Sequence, residues 1–157
     1  MTDVERNLTV FEGHCLPHGH EFEAYDFSDF QYGERIIRTV DGEKFGLMAV
    51  DDEVVNEVEN ILTDICSGSM DEIELARLFD RVFGLSCDPI DGKELDASIG
   101  ITCAICKTLK VDYRDSRPPR YKRFVIPQVT HERWRKLPTV ERRNLIAEGL
   151  RTKGELA

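Results

Sequence analysis

Between Gly13 and His20 the chain concentrates donors suited to a metal ion: Gly13-His14-Cys15-Leu16-Pro17-His18-Gly19-His20 holds three of the four histidines and one of the five cysteines. Thiolate and imidazole are the ligands that zinc favours, and four of them make a closed tetrahedral site. Cys15 and His18 are separated by two residues, and glycine follows the second donor. Two intervening residues let a tight turn aim both side chains at one ion, and the glycine relieves the backbone as it turns away. A matching pair stands at Cys103-Ala104-Ile105-Cys106. Cys15, His18, Cys103 and Cys106 are therefore expected to hold zinc, with His14 and His20 as alternative donors.

Cys15-Leu16-Pro17-His18-Gly19 resembles the knuckle of a zinc ribbon, with Cys103–Cys106 as a second knuckle. The resemblance does not extend to the 84 residues between the pairs, and it names no family. It implies two halves of a ribbon with the intervening elements inserted between them. A competing reading puts Cys103 and Cys106 on an apolar helix face, where free cysteine packs as a small hydrophobe, and leaves His14, His18 and His20 in a solvated loop. His18-Gly19-His20-Glu21-Phe22-Glu23 is also similar to the metal-binding His-x-His of cupins, although the later glutamate spacing differs and the expected glycines are missing. That alternative is a small metalloenzyme on His14, His18 and His20, with Glu21 or Glu23 as base and one open coordination position.

Other catalytic patterns are absent from the sequence. Zinc deaminases need His-x-Glu and Pro-Cys-x-x-Cys, whereas His18 is followed two residues on by His20, and Thr102 precedes Cys103. There is no G-x-x-x-x-G-K-[ST], G-x-G-x-x-G or G-x-S-x-G. Cys15 beside His14 and His18 could be a thiol next to a base, but neighbours in sequence do not define a catalytic geometry. Cys66 and Cys87, at a helix end and a turn, read as buried thiols.

Charge is unevenly distributed. Residues 1–106 carry 24 acidic and 7 basic side chains, and residues 107–157 carry 6 and 14, within a net charge of -9. In the basic third, Arg117, Arg120, Lys122, Arg123, Arg133, Arg135 and Lys136 alternate with Tyr113, Tyr121, Phe124 and Trp134. That mixture suits phosphate contact with base stacking. It equally suits a protein interface, or docking of the basic segment on the chain's own acidic body. The leading expectation is a non-enzymatic, zinc-stabilised module contacting nucleic acid through this segment, and the alternative is a protein-interaction or assembly subunit.

The 157 residues, 41% hydrophobic and 32% charged, suit one globular α+β domain. It divides into a β-rich part (1–50) with the knuckle, a helical part (51–110) and the basic segment (111–157). No apolar run is long enough to cross a membrane, and the first residues lack a secretory pattern, so a cytoplasmic location with reduced thiols is expected.

The elements that must position the donors follow from local signals. Two β-rich runs, 34–40 and 43–50, flank Asp41-Gly42 and predict a hairpin with a type I′ turn. Val54, Val55, Val58, Ile61, Leu62 and Ile65 recur at helical spacing, with Asp51 or Asp52 as N-cap and Gly68 beyond the end. A second helix is expected from Ser69-Met70-Asp71-Glu72, a capping-box spacing, to Gly84. Lys93–Lys110 stays open between helix and irregular structure. A strand at Tyr121–Ile126 and a helical tail from about Thr130 to Leu150, broken near Pro138, complete the expectation.

Overall fold

The computed structural model describes residues 2–27, 33–67 and 70–153 and is an α+β arrangement of two antiparallel sheets and four helices. The first sheet is organised on one long strand, β1 (Asp3–Cys15). On one side β1 pairs with β2 (Glu21–Asp26). Its other side carries two strands end to end: β6 (Val111–Asp115) against Phe11–Cys15 and β7 (Tyr121–Pro127) against Asp3–Thr9. Residues 116–120 loop out between them. The Val10 carbonyl accepts from the Ser116 N–H, and the Val10 N–H donates to the Arg120 carbonyl.

The second sheet is the expected hairpin, β3 (Glu34–Thr39) and β4 (Phe45–Ala49), with the two-residue β5 (Leu95–Asp96) on the other edge of β3. Its connection is wider than the predicted two-residue turn. Thr39 and Lys44 close it, Gly42 takes the left-handed φ of 74°, and the Asp41 carboxylate is held by the Thr39 hydroxyl and the Glu43 N–H.

Helices α1 (Glu53–Ile65) and α2 (Glu72–Val82) follow. Asp52 caps α1 by accepting from the Val54 N–H, and Asp71 caps α2 by accepting from the Glu74 N–H, two residues later than a cap at Ser69 would stand. Gly68 and Ser69 lie outside the described residues. A 3-10 turn (Phe83–Ser86) ends α2 because Gly84 lies against β5, where a Cβ would come within 1.8 Å of the Leu95 carbonyl oxygen. The tail forms α3 (Glu132–Arg135) and α4 (Thr139–Thr152), with Pro138 marking the break.

The helical reading of 51–110 thus holds only through Val82; Lys93–Lys110 contains β5 and turns. Gly100 and the β-branched Ile99, Ile101, Thr102 and Ile105 disfavour a helix there. The largest core joins the helices to the second sheet around Phe83, Leu62, Leu78 and Trp134. His131 is buried at its edge, with Nδ1 donating to the Ser86 carbonyl and Nε2 2.7 Å from Asp52. A smaller cluster of Leu8, Ile36, Leu47 and Ile126 joins the two sheets, and a third of Phe11, Cys15, Phe22, Ala24, Ile101 and Cys103 lies at the knuckle end.

Candidate metal centre

Cys15 is the last residue of β1, so the β1–β2 turn begins at the first predicted donor. Cys15 accepts at its carbonyl from the Gly19 N–H (2.8 Å) and donates its own N–H to the His20 carbonyl (2.9 Å). The second pair repeats this pattern residue for residue. The Cys103 carbonyl accepts from Lys107 (2.9 Å), and the Cys103 N–H donates to Thr108 (3.0 Å). The fourth residue after each first cysteine has a left-handed backbone, Gly19 at φ 69° and Lys107 at φ 64°. Lysine pays some strain there that glycine avoids. The spacing of donors therefore produces two turns of one design, with Cys15 equivalent to Cys103 and His18 equivalent to Cys106.

Strand pairing brings the turns together. Cys15 pairs with Val111, and the Leu16 N–H donates to the Lys110 carbonyl at 2.9 Å, so the second turn stands directly beside the first. Two residues back, Gly13 leaves room for a neighbouring ring. The Phe22 ring covers its Cα, and a Cβ would lie 2.6 Å from the ring.

The donor atoms of Cys15, His18, His20 and Cys106 all lie within 4.8 Å of one another and could hold a metal ion. Cys103 stands beside this set: its Sγ is 3.8 Å from His20 Nδ1 and accepts from the Ile105 N–H at 3.4 Å. The His18 and His20 rings stack with centroids 5.3 Å apart, and the His20 N–H donates to Cys15 Sγ at 3.3 Å. His14 does not join them. Its side chain leaves the opposite face of β1, half exposed, with Nε2 3.9 Å from Asp112. Glu21 and Glu23 line a pocket on that same opposite face, away from the sulfurs.

The thiols influence one another. Burial alone raises the Cys103 thiol, but the N–H groups of Cys106 and Ile105 and the side chains of His20 and Cys106 bring it down to about 6. At Cys106 the Thr108 N–H acts to lower the value, yet burial and the neighbouring thiols of Cys103 and Cys15 hold it above the ordinary range. Sulfurs crowded this way repel as thiolates, and a divalent cation among them removes that repulsion.

The basic residues are mostly committed within the chain. Arg133 makes a bidentate pair with Glu94 and also reaches the Cys87 carbonyl. Arg142 meets Glu57 and Arg143 meets Asp64, each at 2.7 Å. Arg120 lies within 3.7 Å of Glu12 and 3.5 Å of Glu23, Arg123 pairs with Glu5, and Arg135 is 3.9 Å from Glu53. Lys122 sits over the rings of Tyr25 and Phe124. Arg117 and Lys136 are exposed and have no ion-pair partner among the described residues. Trp134 is core, 1% exposed.

Sequence reasoning did not anticipate the exposed apolar residues around the two turns, Leu16, Ile105 and Leu109. Their signal was their place between and after the donors, where a turn has no interior to bury them. No helix among the described residues is long and apolar enough to cross a membrane. No family model matches the chain, and no curated protein or solved structure does.

Proposed function

We propose that the protein is a non-enzymatic binding module stabilised by one zinc ion, with Cys15, His18, Cys103 and Cys106 as the ligands. The observation that carries this reading is the repetition of one turn design at the two pairs, which makes Cys15/His18 and Cys103/Cys106 equivalent donors. Sulfur and nitrogen donors of this kind suit zinc over magnesium or calcium, which favour oxygen. Protein side chains suffice to fill a tetrahedral shell without water, as in structural rather than hydrolytic zinc sites. The ion would clamp the β1–β2 turn to the turn before β6. Untagged protein is expected to carry about one zinc per chain by elemental analysis, and Cys106→Ser to lose it. Metal-free protein of unchanged stability would end this reading.

A second observation bears on what the module binds. Tyr113 pairs with Gly13, Tyr121 with Thr9 and Arg123 with Asn7, alternate positions of β1, so all three side chains share one sheet face. Both tyrosines are more than half exposed. Rings on a sheet face with cations nearby favour single-stranded nucleic acid, with the exposed Arg117 and Lys136 as further contacts; Lys122, opposite Leu8, points to the other face. Arg120, Arg133 and Arg135 are more simply read as docking the basic third on the acidic body. A protein partner on the same face is the alternative. A shift of a random single-stranded oligonucleotide, lost in the Tyr113→Ala, Tyr121→Ala double variant, would decide for nucleic acid. No shift at low salt leaves the protein partner.

A further inference from the structure

The two turns supply one donor more than a tetrahedral ion needs. Cys15, His18 and Cys106 belong to the mutually close set, and two further side chains compete for the remaining corner: His20, also in that set, and Cys103, the internal equivalent of Cys15. With metal–sulfur and metal–nitrogen bonds of about 2.3 and 2.0–2.1 Å, neighbouring S and N ligands on a tetrahedral ion stand roughly 3.6 Å apart. His20 Nδ1 and Cys103 Sγ are 3.8 Å apart. Both thus lie within reach of one ion, and since Cys15, His18 and Cys106 fill three of its four corners, whichever of the two takes the fourth leaves the other beside the shell.

Both competitors are held in place without the ion. The backbone of His20 is fixed by its N–H bond to Cys15 Sγ and by its carbonyl, which accepts from Cys15. Its ring is stacked on that of His18. Cys103 is fully buried, its carbonyl and N–H occupied by Lys107 and Thr108. By the equivalence of the turns His20 occupies the place of Thr108, so it is an addition to the repeated pattern rather than part of it.

We propose that the fourth coordination position is exchanged between Cys103 and His20, so that the ion is retained when either donor is lost. This rests on the zinc reading above. It defines a soft-metal site that switches between three sulfurs with one nitrogen and two sulfurs with two nitrogens. An incoming chelator or thiol can then displace one ligand while the spare donor closes the shell, which favours stepwise ion exchange over irreversible loss.

The test uses full-length protein loaded with cobalt(II), whose ligand-field and thiolate-to-metal bands report the number of sulfurs, and with zinc in competition against a chromogenic chelator. Cys103→Ser and His20→Ala are each expected to bind one ion per chain, with affinity within about tenfold of the parent. The first should give the weaker thiolate band, and the Cys103→Ser, His20→Ala double variant should lose more than about a hundredfold. Cys103→Ala, which places no polar hydroxyl in the buried cluster, guards against a folding defect in the serine variant, and the far-UV spectrum reports folding throughout. Loss of the ion in either single variant, while the parent retains it, overturns the exchange but leaves the zinc reading intact. A double variant that binds as tightly as the parent also overturns it. A parent chain that binds neither ion removes both readings.

Discussion

At the helical end, eighteen buried residues among those described, from the four helices, the 3-10 turn, the second sheet and the loops between them, form one cluster that includes Trp134, Phe83 and Leu62. The knuckle end buries six among the described residues, and two of them are cysteines. Burying a large apolar side chain contributes about 1.5–3 kcal/mol, while ordering each residue costs about 1–2 kcal/mol in backbone entropy alone. The first end has enough apolar volume to offset that cost. The second consists of two turns and the tips of three strands, with little to offset it except the bonds an ion would make. A small sheet can keep a long strand if stability enters from both ends: on β1 this is hydrophobic at Asp3–Thr9, where Leu8 packs with Ile36, Leu47 and Ile126, and, on the zinc reading, coordinative at Phe11–Cys15.

If the proposed zinc is there, the largest effect comes from removing it. Chelation, or Cys106→Ser, is expected to expose residues 16–20 and 103–110 to protease while the helical far-UV signal and the buried emission of Trp134 persist. On the zinc reading the binding free energy forfeited would be that of a structural zinc, on the order of 10 kcal/mol. Unfolding of the whole molecule in one step would show that the two ends are a single cooperative unit.

The converse experiment attacks the other end. Trp134→Ala removes a ring that packs in the main core and donates its indole N–H to Glu57. It is expected to cost about 3–5 kcal/mol in denaturant titration, with metal stoichiometry unchanged until the body unfolds. Early loss of the ion in this variant would again join the two ends.

A smaller effect sharpens the picture at the junction of the 3-10 turn and α3. Burial acts to raise the Asp88 carboxyl, but the Thr130 hydroxyl, the N–H groups of Arg133 and Glu132, and the Arg133 charge hold it below the ordinary carboxylate range. A carboxyl lowered on folding contributes stability that is present above its unfolded value, about 4, and lost as pH falls through the folded one. Asp88→Asn should therefore be less stable than the parent at pH 7, and the gap should close in acid. Thermal unfolding of both chelated proteins from pH 7 to pH 2 measures it, and a gap independent of pH would remove the carboxylate from the account.

What could be read from sequence was local. The cap at Asp52, the helical spacing of Val54 to Ile65 and the two-residue gaps at Cys15–His18 and Cys103–Cys106 each lie within a few residues, where propensity and turn chemistry decide, whereas the capping-box spacing places the start of α2 two residues early, at Ser69 rather than Asp71. The partners of β1 could not be read, because ladders to residues 111–127 depend on contacts across a hundred residues and more. Charge blocks were visible, but which carboxylate meets which arginine is a property of the fold. Arg133, read as a phosphate contact, clamps Glu94, a pairing the sequence could not show. Lys107 illustrates the same limit from the other side. Its left-handed backbone completes the second turn, yet lysine carries no sequence signal for that conformation.

The looped-out residues 116–120 interrupt one edge of β1 without disturbing either ladder. Ser116 is buried and its hydroxyl accepts from the Arg120 N–H, which pinches the base of the loop, while Pro118 and Pro119 at its tip face solvent. The strand segments on either side are each registered against β1 through their own hydrogen bonds, so the tip transmits no register from one to the other. Extra residues placed between Pro118 and Pro119 would enlarge a surface feature while leaving both flanking ladders in step. That makes the tip a natural position for accommodating a grafted peptide or a tag, and a point where chain length can drift without cost to the metal end or the helical body.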